Sequence, residues 1–250
     1  MENYILFDTE TTGNGDNDRI IQIGAIVISN ENGETCIEIY DELCKAEIPI
    51  TIEAMEVHNI TPNIISDKPP FMKTECYKRI NDLNSKENYL IAHNIKFDLG
   101  MLEKEGFINN YTLIDTVRCA MHLFPDQQYH RLQYLRYSLE LYKQEVKEAE
   151  DLGIIIKAHD AIGDVLIMKL LLDKLLIEVQ RLNPEYNKTD IMKKLAELTN
   201  TPVLMKIFKF GKYKGQDIDQ VASDDKGYLK WMRKNLDLDE DMKYTLDHYV

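Results

Sequence analysis

Apolar positions come as short runs in the first half of the chain and at helical spacing in the second. Tyr4 to Phe7 and the β-branched stretch Ile20 to Ile28 read as buried strands. Thr35 to Tyr40 alternates and reads as a third strand nearer an edge, joined to the second by a turn at Glu31-Asn32-Gly33. These three strands are expected to be antiparallel. Ile52 to Asn59 and Phe71 to Leu83 are helix candidates, and Tyr89 to Ala92 is a short strand. A helix over Leu99 to Glu105 is expected to stop at Gly106, and Leu113 to Thr116 is a further strand. Ala161 to Leu182 carries apolar residues at i, i+3 and i+4 spacing and reads as the longest helix. Strands first, then alternating strands and helices, predict an α/β layered domain.

Polar residues mark the boundaries. Pro184 and Asn187-Lys188-Thr189-Asp190 break the pattern, and Thr189 is expected to cap a helix through Leu198. Thr201-Pro202 marks a second break. Beyond it, Lys206 to Gln216 interleaves four lysines with aromatics and contains no acid. Alternation and a glycine turn predict a small β unit there, followed by an amphipathic helix from Gly227 that carries the only Trp. The expected division is 1–182, a helical linker over 183–200, and a small α+β unit over 201–250.

Composition narrows the class. The chain has 250 residues, 44% hydrophobic, which suffices for a core. No apolar run is long enough to span a membrane, and no basic-then-apolar leader opens the chain, so neither a membrane nor a secretory segment is expected. Cys36, Cys44, Cys76 and Cys119 are far apart, without zinc spacing, and read as reduced thiols of a cytoplasmic protein. The net charge of −13 argues against a protein coated for non-specific nucleic-acid binding. That charge is uneven: residues 201–250 hold nine basic and nine acidic residues, so the rest carries the whole excess.

One short stretch points to chemistry. Asp8-Thr9-Glu10-Thr11-Thr12-Gly13 follows the first apolar run. An Asp and a Glu before a Gly often mark only a turn. In a strand, however, residues i and i+2 share a face, so Asp8 and Glu10 would project together, about 7 Å apart. Like charges held so close raise each other's pKa unless a cation lies between them. Oxygen-only ligands suit Mg²⁺ or Mn²⁺ rather than Zn²⁺. More carboxylates are therefore expected elsewhere. Two segments offer them: His93-Asn94-Ile95-Lys96-Phe97-Asp98, and His159-Asp160-Ala161-Ile162-Gly163-Asp164.

Taken in order, D-x-E-T-T-G, H-N-x-x-F-D and H-x-x-x-x-D resemble the three motifs of the DEDDh family of 3′–5′ exonucleases, over about residues 3–175. The resemblance implies a ribonuclease H-like fold with a five-stranded mixed sheet flanked by helices. It implies two divalent ions, Mg²⁺ or Mn²⁺, held by Asp8, Glu10, Asp98 and Asp164, with His159 as general base on the loop before the motif helix. Hydrolysis would run from the 3′ end and release nucleoside 5′-monophosphates. Thr9, Thr11, Asn94 and Phe97 are the expected substrate neighbours, with backbone N–H groups after Thr11 offered to the terminal nucleotide. Met55 to Pro62 looks like the family's V-H-G-I segment beside the terminal base, which adds His58. Asn59 replaces the usual Gly there, and both residues tolerate positive φ. The tail pattern F-G-K-Y-K-G with Y-L-x-W resembles a small domain at the C-terminus of some exonuclease X-like proteins. Its Lys209, Lys212 and Lys214 are candidate nucleic-acid contacts, against the alternative of solvated lysines on a small core. The leading expectation is an enzyme acting on single-stranded DNA 3′ ends in trimming or repair. RNA trimming, a polymerase proofreading subunit and a catalytically silent nucleic-acid-binding module are the alternatives.

Overall fold

The computed structural model describes residues 2–31, 34–156 and 160–250. His159 therefore lies outside the described residues, as do Asn32 and Gly33 of the expected hairpin turn.

Strand β1 (Tyr4–Thr11) pairs antiparallel with β2 (Ile20–Glu31), which pairs antiparallel with β3 (Glu34–Leu43). After α1 (Ile52–His58), α2 (Pro62–Ile65) and α3 (Glu75–Asp82), β4 (Tyr89–Ala92) returns parallel to β1. Helix α4 (Ile95–Lys104) then leads to β5 (Thr112–Asp115), parallel to β4. The sheet order is β3-β2-β1-β4-β5, the mixed five-stranded arrangement expected. Helices α5 (Thr116–Leu123), α6 (Leu132–Ser138), α7 (Tyr142–Leu152) and α8 (Ala161–Leu182) follow. Then come α9 (Lys188–Asn200), α10 (Ile218–Asp224), α11 (Lys226–Asn235) and α12 (Glu240–Tyr249).

Alternation along β1 divides two cores. Tyr4 and Leu6 face a cluster built on α8, α5 and α9, whereas Ile5 and Phe7 face one that includes Met101 and Leu102 of α4. Leu6 and Phe7 have no exposed surface. Burying each such side chain stabilises by about 1.5–3 kcal/mol, so β1 is a stiff platform between two packed layers.

Several boundaries differ from those the pattern predicts. The candidate over Phe71 to Leu83 splits at Thr74, whose hydroxyl accepts from Tyr77 N–H and caps α3, leaving a 3₁₀ turn at Phe71–Lys73. Helix α4 begins at Ile95, one turn ahead of Asp98, because Asn94 takes a left-handed conformation (φ 79°) and starts the turn. Asn187, not Thr189, caps α9, through a reciprocal capping box with Asp190. The helix expected in the linker is present, and its Ile191, Met192, Leu195 and Leu198 pack into the main core. The tail's β unit reduces, among the described residues, to one bridge between Ile207 and Asp217, and α10 to α12 enclose a core around Phe208 and Leu229. Arg118 fixes this unit to α5 by pairing with Asp241 at 2.5 Å and donating to Thr201 O at 2.6 Å.

Candidate active site

Asp8 and Glu10 lie within β1 rather than in a turn after it, on the face continuing from Tyr4 and Leu6. Pairing with β2 slips between Glu10 and Thr11, so the ladder is irregular where the carboxylates project. Opposite Asp8 in register stands Gly24. A Cβ on Gly24 would lie 2.4 Å from Ile162 N and 2.5 Å from Ala161 C. The bare glycine therefore lets the first turn of α8 rest on the sheet and brings Asp164 to the same face as Asp8. Nothing but its place inside an otherwise β-branched run marked Gly24 in the sequence.

Asp98 comes from the opposite layer, in the first turn of α4. It is 3% exposed. Thr9 points to that layer and donates twice to Asp98 Oδ1, from backbone N–H at 3.1 Å and from its hydroxyl at 2.8 Å. The site thus forms where the parallel strands β1 and β4 end, with helices of both layers contributing, the usual place for ligands on such sheets.

The electrostatics follow from this crowding. Burial first, then the charges of Asp98, Asp164 and Glu10, hold Asp8 well above the ordinary carboxylate range. Glu10 is pushed up to about 8 by burial and then by Asp164, Asp98 and Asp160. Burial raises Asp98 to about 7 against the two Thr9 donors, which pull downward. Every neighbouring charge acting on Asp8 and Glu10 is negative. Among the described residues no three potential ligands are drawn as close as around an ion. The acids stand instead as repelling neighbours of one another, all oxygen donors and short of positive charge. Such a set fits a hard divalent cation.

Supporting residues complete the picture. Gln133 Nε2 donates to Asp164 Oδ1 at 2.6 Å. Gln22, opposite Glu10 in register, donates from Nε2 to Asp160 at 2.7 Å and to Asp41 at 2.9 Å. Gln22 thus ties Asp160, the residue before α8, to β2 and β3. Neither glutamine stood out in the sequence, because long-range side-chain bonds leave no local pattern.

The expected substrate neighbours are placed differently from one another. Thr11 is buried, with its hydroxyl donating to Gly13 O, and Thr12 N–H already donates to Arg19 O. His58 is 5% exposed, accepts at Nδ1 from Ile60 N–H and donates from Nε2 to Thr11 O, so it braces the end of β1. Asn59 adopts φ 60°, the left-handed turn its Gly-like place requires. Asn94 is exposed and Phe97 half-buried. Asn94 N–H donates to Asp115 Oδ1 at 3.1 Å, tying the α4 start to β5. His93 donates from Nε2 to His130 O, accepts at Nδ1 from Thr116, and is pushed down to about 4 mainly by burial. In the tail, Lys212 pairs with Asp225 at 3.1 Å and lies over the Tyr213 ring, whereas Lys209 and Lys214 face a cavity.

Comparison with known proteins agrees with this arrangement. The family described as Exonuclease matches residues 5–172, and that described as Exodeoxyribonuclease X-like C-terminal matches residues 208–237. Exodeoxyribonuclease 10 of Escherichia coli (strain K12) is 29% identical over 250 residues, covering 98% of this chain and 97% of its own. DNA polymerase III subunit epsilon of Buchnera aphidicola subsp. Schizaphis graminum is 34% identical over 142 residues, covering 51% of this chain and 59% of its own. Among solved structures, exonuclease X in complex with 5′ overhanging duplex DNA superposes with a TM-score of 0.52 at 20% identity. That likeness covers 79% of this chain and 99% of the other, and shows a shared fold. With the match spanning most of the sheet and helices that carry the four acids, the chain belongs to the exonuclease family.

Proposed function

We propose that this chain is a metal-dependent 3′–5′ exonuclease that hydrolyses phosphodiester bonds from the 3′ end of DNA and releases nucleoside 5′-monophosphates. The observation that carries this reading is the convergence of Asp8, Glu10, Asp98 and Asp164 from three elements at the end of β1, where burial and then the neighbouring acids raise Asp8 and Glu10, and burial raises Asp98. The family match and the relatives' names, exodeoxyribonuclease 10 among them, support DNA as substrate.

The placement of the four acids supports the following roles. Asp8, Glu10 and Asp164 on the α8 face and Asp98 from α4 would hold two divalent ions, Mg²⁺ or Mn²⁺. Such ions, when bound, would neutralise charge on the oxygen of the attacking water and on the leaving oxygen of the phosphodiester. Thr9 holds Asp98 in its rotamer, and Gln133 does the same for Asp164. His159 takes a proton from the attacking water, a task an imidazole suits at neutral pH. Asn94 and Phe97, at the start of α4, would be neighbours of the terminal nucleotide. His58 acts on it through Thr11. The catalytic domain spans 1–182, with α9 packed on it, and 201–250 forms the smaller unit. Among the described residues no helix is long and apolar enough to cross a membrane, and all four thiols are free, which fits a cytoplasmic setting.

Matched DNA and RNA oligonucleotides, labelled at the 5′ end and incubated with Mg²⁺ or Mn²⁺, test the reading. A ladder shortening from the 3′ end on DNA is expected. A ladder on RNA alone would reassign the substrate, and release of the labelled 5′ nucleotide would overturn the polarity. His159→Ala is expected to lower the rate steeply while metal binding persists.

A further inference from the structure

The C-terminal unit and the catalytic domain enclose a cavity of about 990 Å³ that the catalytic acids do not line. Known small-molecule sites run to about 1,000 Å³, so this one has room for more than a single nucleotide. His93 and Asn94 form part of its wall, and Asp98 follows them within one helical turn, so the cavity adjoins the acid cluster. Its wall also carries Tyr129 and Arg131 from the α5–α6 connection and Lys209 and Lys214 from the tail. All four are exposed. The Arg131 guanidinium sits 5.1 Å over the Tyr129 ring. Lys209 lies close enough to His130 to help lower its pKa, behind the larger effect of burial.

The cations on this wall differ from their basic neighbours in the tail. The chain is strongly acidic, and neighbouring basic residues are already committed: Lys206 pairs with Asp126 at 2.5 Å and Lys212 with Asp225 at 3.1 Å. Among the described residues, no carboxylate lies within ion-pair distance of Arg131, Lys209 or Lys214. Apolar side chains, including Val117, Met121 and Leu204, fill the wall between them. Unpaired cations with an exposed aromatic ring and an apolar floor match a single nucleic-acid strand, whose phosphates need charge and whose bases need flat apolar faces. The walls are held in place by Arg118 with Asp241 and by Lys206 with Asp126.

We propose that this cavity is a strand-binding groove: Arg131, Lys209 and Lys214 grip the phosphates, and Tyr129 stacks on a base, of the single-stranded segment just 5′ of the nucleotide being removed. This deepens the exonuclease reading and rests on it for direction only. The groove supplies the attraction that the acidic surface around the catalytic carboxylates lacks.

Two substrates separate the groove from the active site. The p-nitrophenyl ester of thymidine 5′-monophosphate reaches only the acids, whereas a 20-mer of single-stranded DNA reaches both. A combined Arg131→Gln, Lys209→Gln, Lys214→Gln protein, checked for an unchanged melting temperature, is expected to hydrolyse the ester at the wild-type rate. Its KM for the 20-mer should rise about tenfold or more with little change in kcat. The salt dependence of 20-mer binding, read by fluorescence anisotropy in Ca²⁺, should flatten by about 2 in log–log slope, at roughly 0.7 per lost contact. Tyr129→Ala keeps the charge and is expected to weaken binding about fivefold or more with the slope intact. Unchanged KM and slope in the triple variant would overturn the groove. Failure of the wild type to hydrolyse either substrate would sink the exonuclease reading instead, and the anisotropy comparison would still decide the groove.

Discussion

The acid cluster at the end of β1 and the cationic groove beside the C-terminal unit differ in burial, in charge and in what fixes them. Asp8, Glu10, Asp98 and Asp164 stand on packed strands and helices, and Thr9 and Gln133 tether two of them. Arg131, Lys209 and Lys214 are exposed and project from connecting segments. On the roles proposed above, the difference follows from what each region would do. Positioning ions against a reacting phosphorus demands geometry held to fractions of an ångström, which only a close-packed support provides. Attracting a polyanion tolerates motion, because Coulomb attraction falls slowly with distance.

The contrast can be broken most sharply at Asp8. Asp8→Ala is expected to lower the turnover of DNA by on the order of a thousandfold or more while the protein stays folded, since several kcal/mol of charge stabilisation depend on the ions. Steady-state kinetics with circular dichroism checks this, and retained turnover would break the distinction between the two regions. Gly24→Ala comes next. Its Cβ has no room against Ile162, so a loss of about 1–3 kcal/mol in stability and tenfold or more in rate is expected as α8 shifts and carries Asp164 away. Gly100→Ala is the control, because a Cβ there meets nothing within 4 Å, and denaturant melts should show it neutral or slightly stabilising.

A pH experiment sharpens the same point. Glu10 at about 8 and Asp98 at about 7 bind protons more tightly in the folded protein than in the unfolded chain. Metal-free protein should therefore lose stability as pH rises through these values. His58 and His93, held down mainly by burial, act in the opposite direction, but only below about pH 6.5. Melting temperature in chelator should fall between pH 6.5 and 8, and Mn²⁺ should abolish the fall. A smaller effect is expected for Thr9→Val. Loss of the hydroxyl donor raises the Asp98 pKa further, so the acid limb of the rate profile should move to higher pH with a severalfold rate loss at pH 7. The smallest effect contrasts two lysines: Lys209→Gln should weaken oligonucleotide binding a fewfold, and Lys212→Gln, already paired with Asp225, should barely change it.

What the sequence disclosed follows the range of the interactions involved. Strands β1, β2 and β4 and the helix over Ala161 to Leu182 were legible because burial imposes a local period, and the motifs that hold the four acids stood out because they are local too. The left-handed Asn59 was legible for the same reason. Gly24, Gln22 and Gln133 were not. Each matters through a partner more than 30 residues away, or 19 at the nearest for Gln22. The tail shows the other limit. Its alternating lysines and aromatics predicted strands, yet Gly211 and Gly215 at positive φ turn the segment too soon for more than one bridge. Which lysines are free depended on where Asp126 and Asp225 come to rest.

Calorimetric titration of Mn²⁺ into the wild type and into Asp8→Asn, in buffers of different ionisation enthalpy at pH 7, tests the central claim most directly. Binding to the wild type with proton release is expected, since raised carboxylates must ionise to take the ion, and so is its loss in Asp8→Asn. Equal binding by both proteins, or none by the wild type, would contradict a metal site built on the acids at the end of β1.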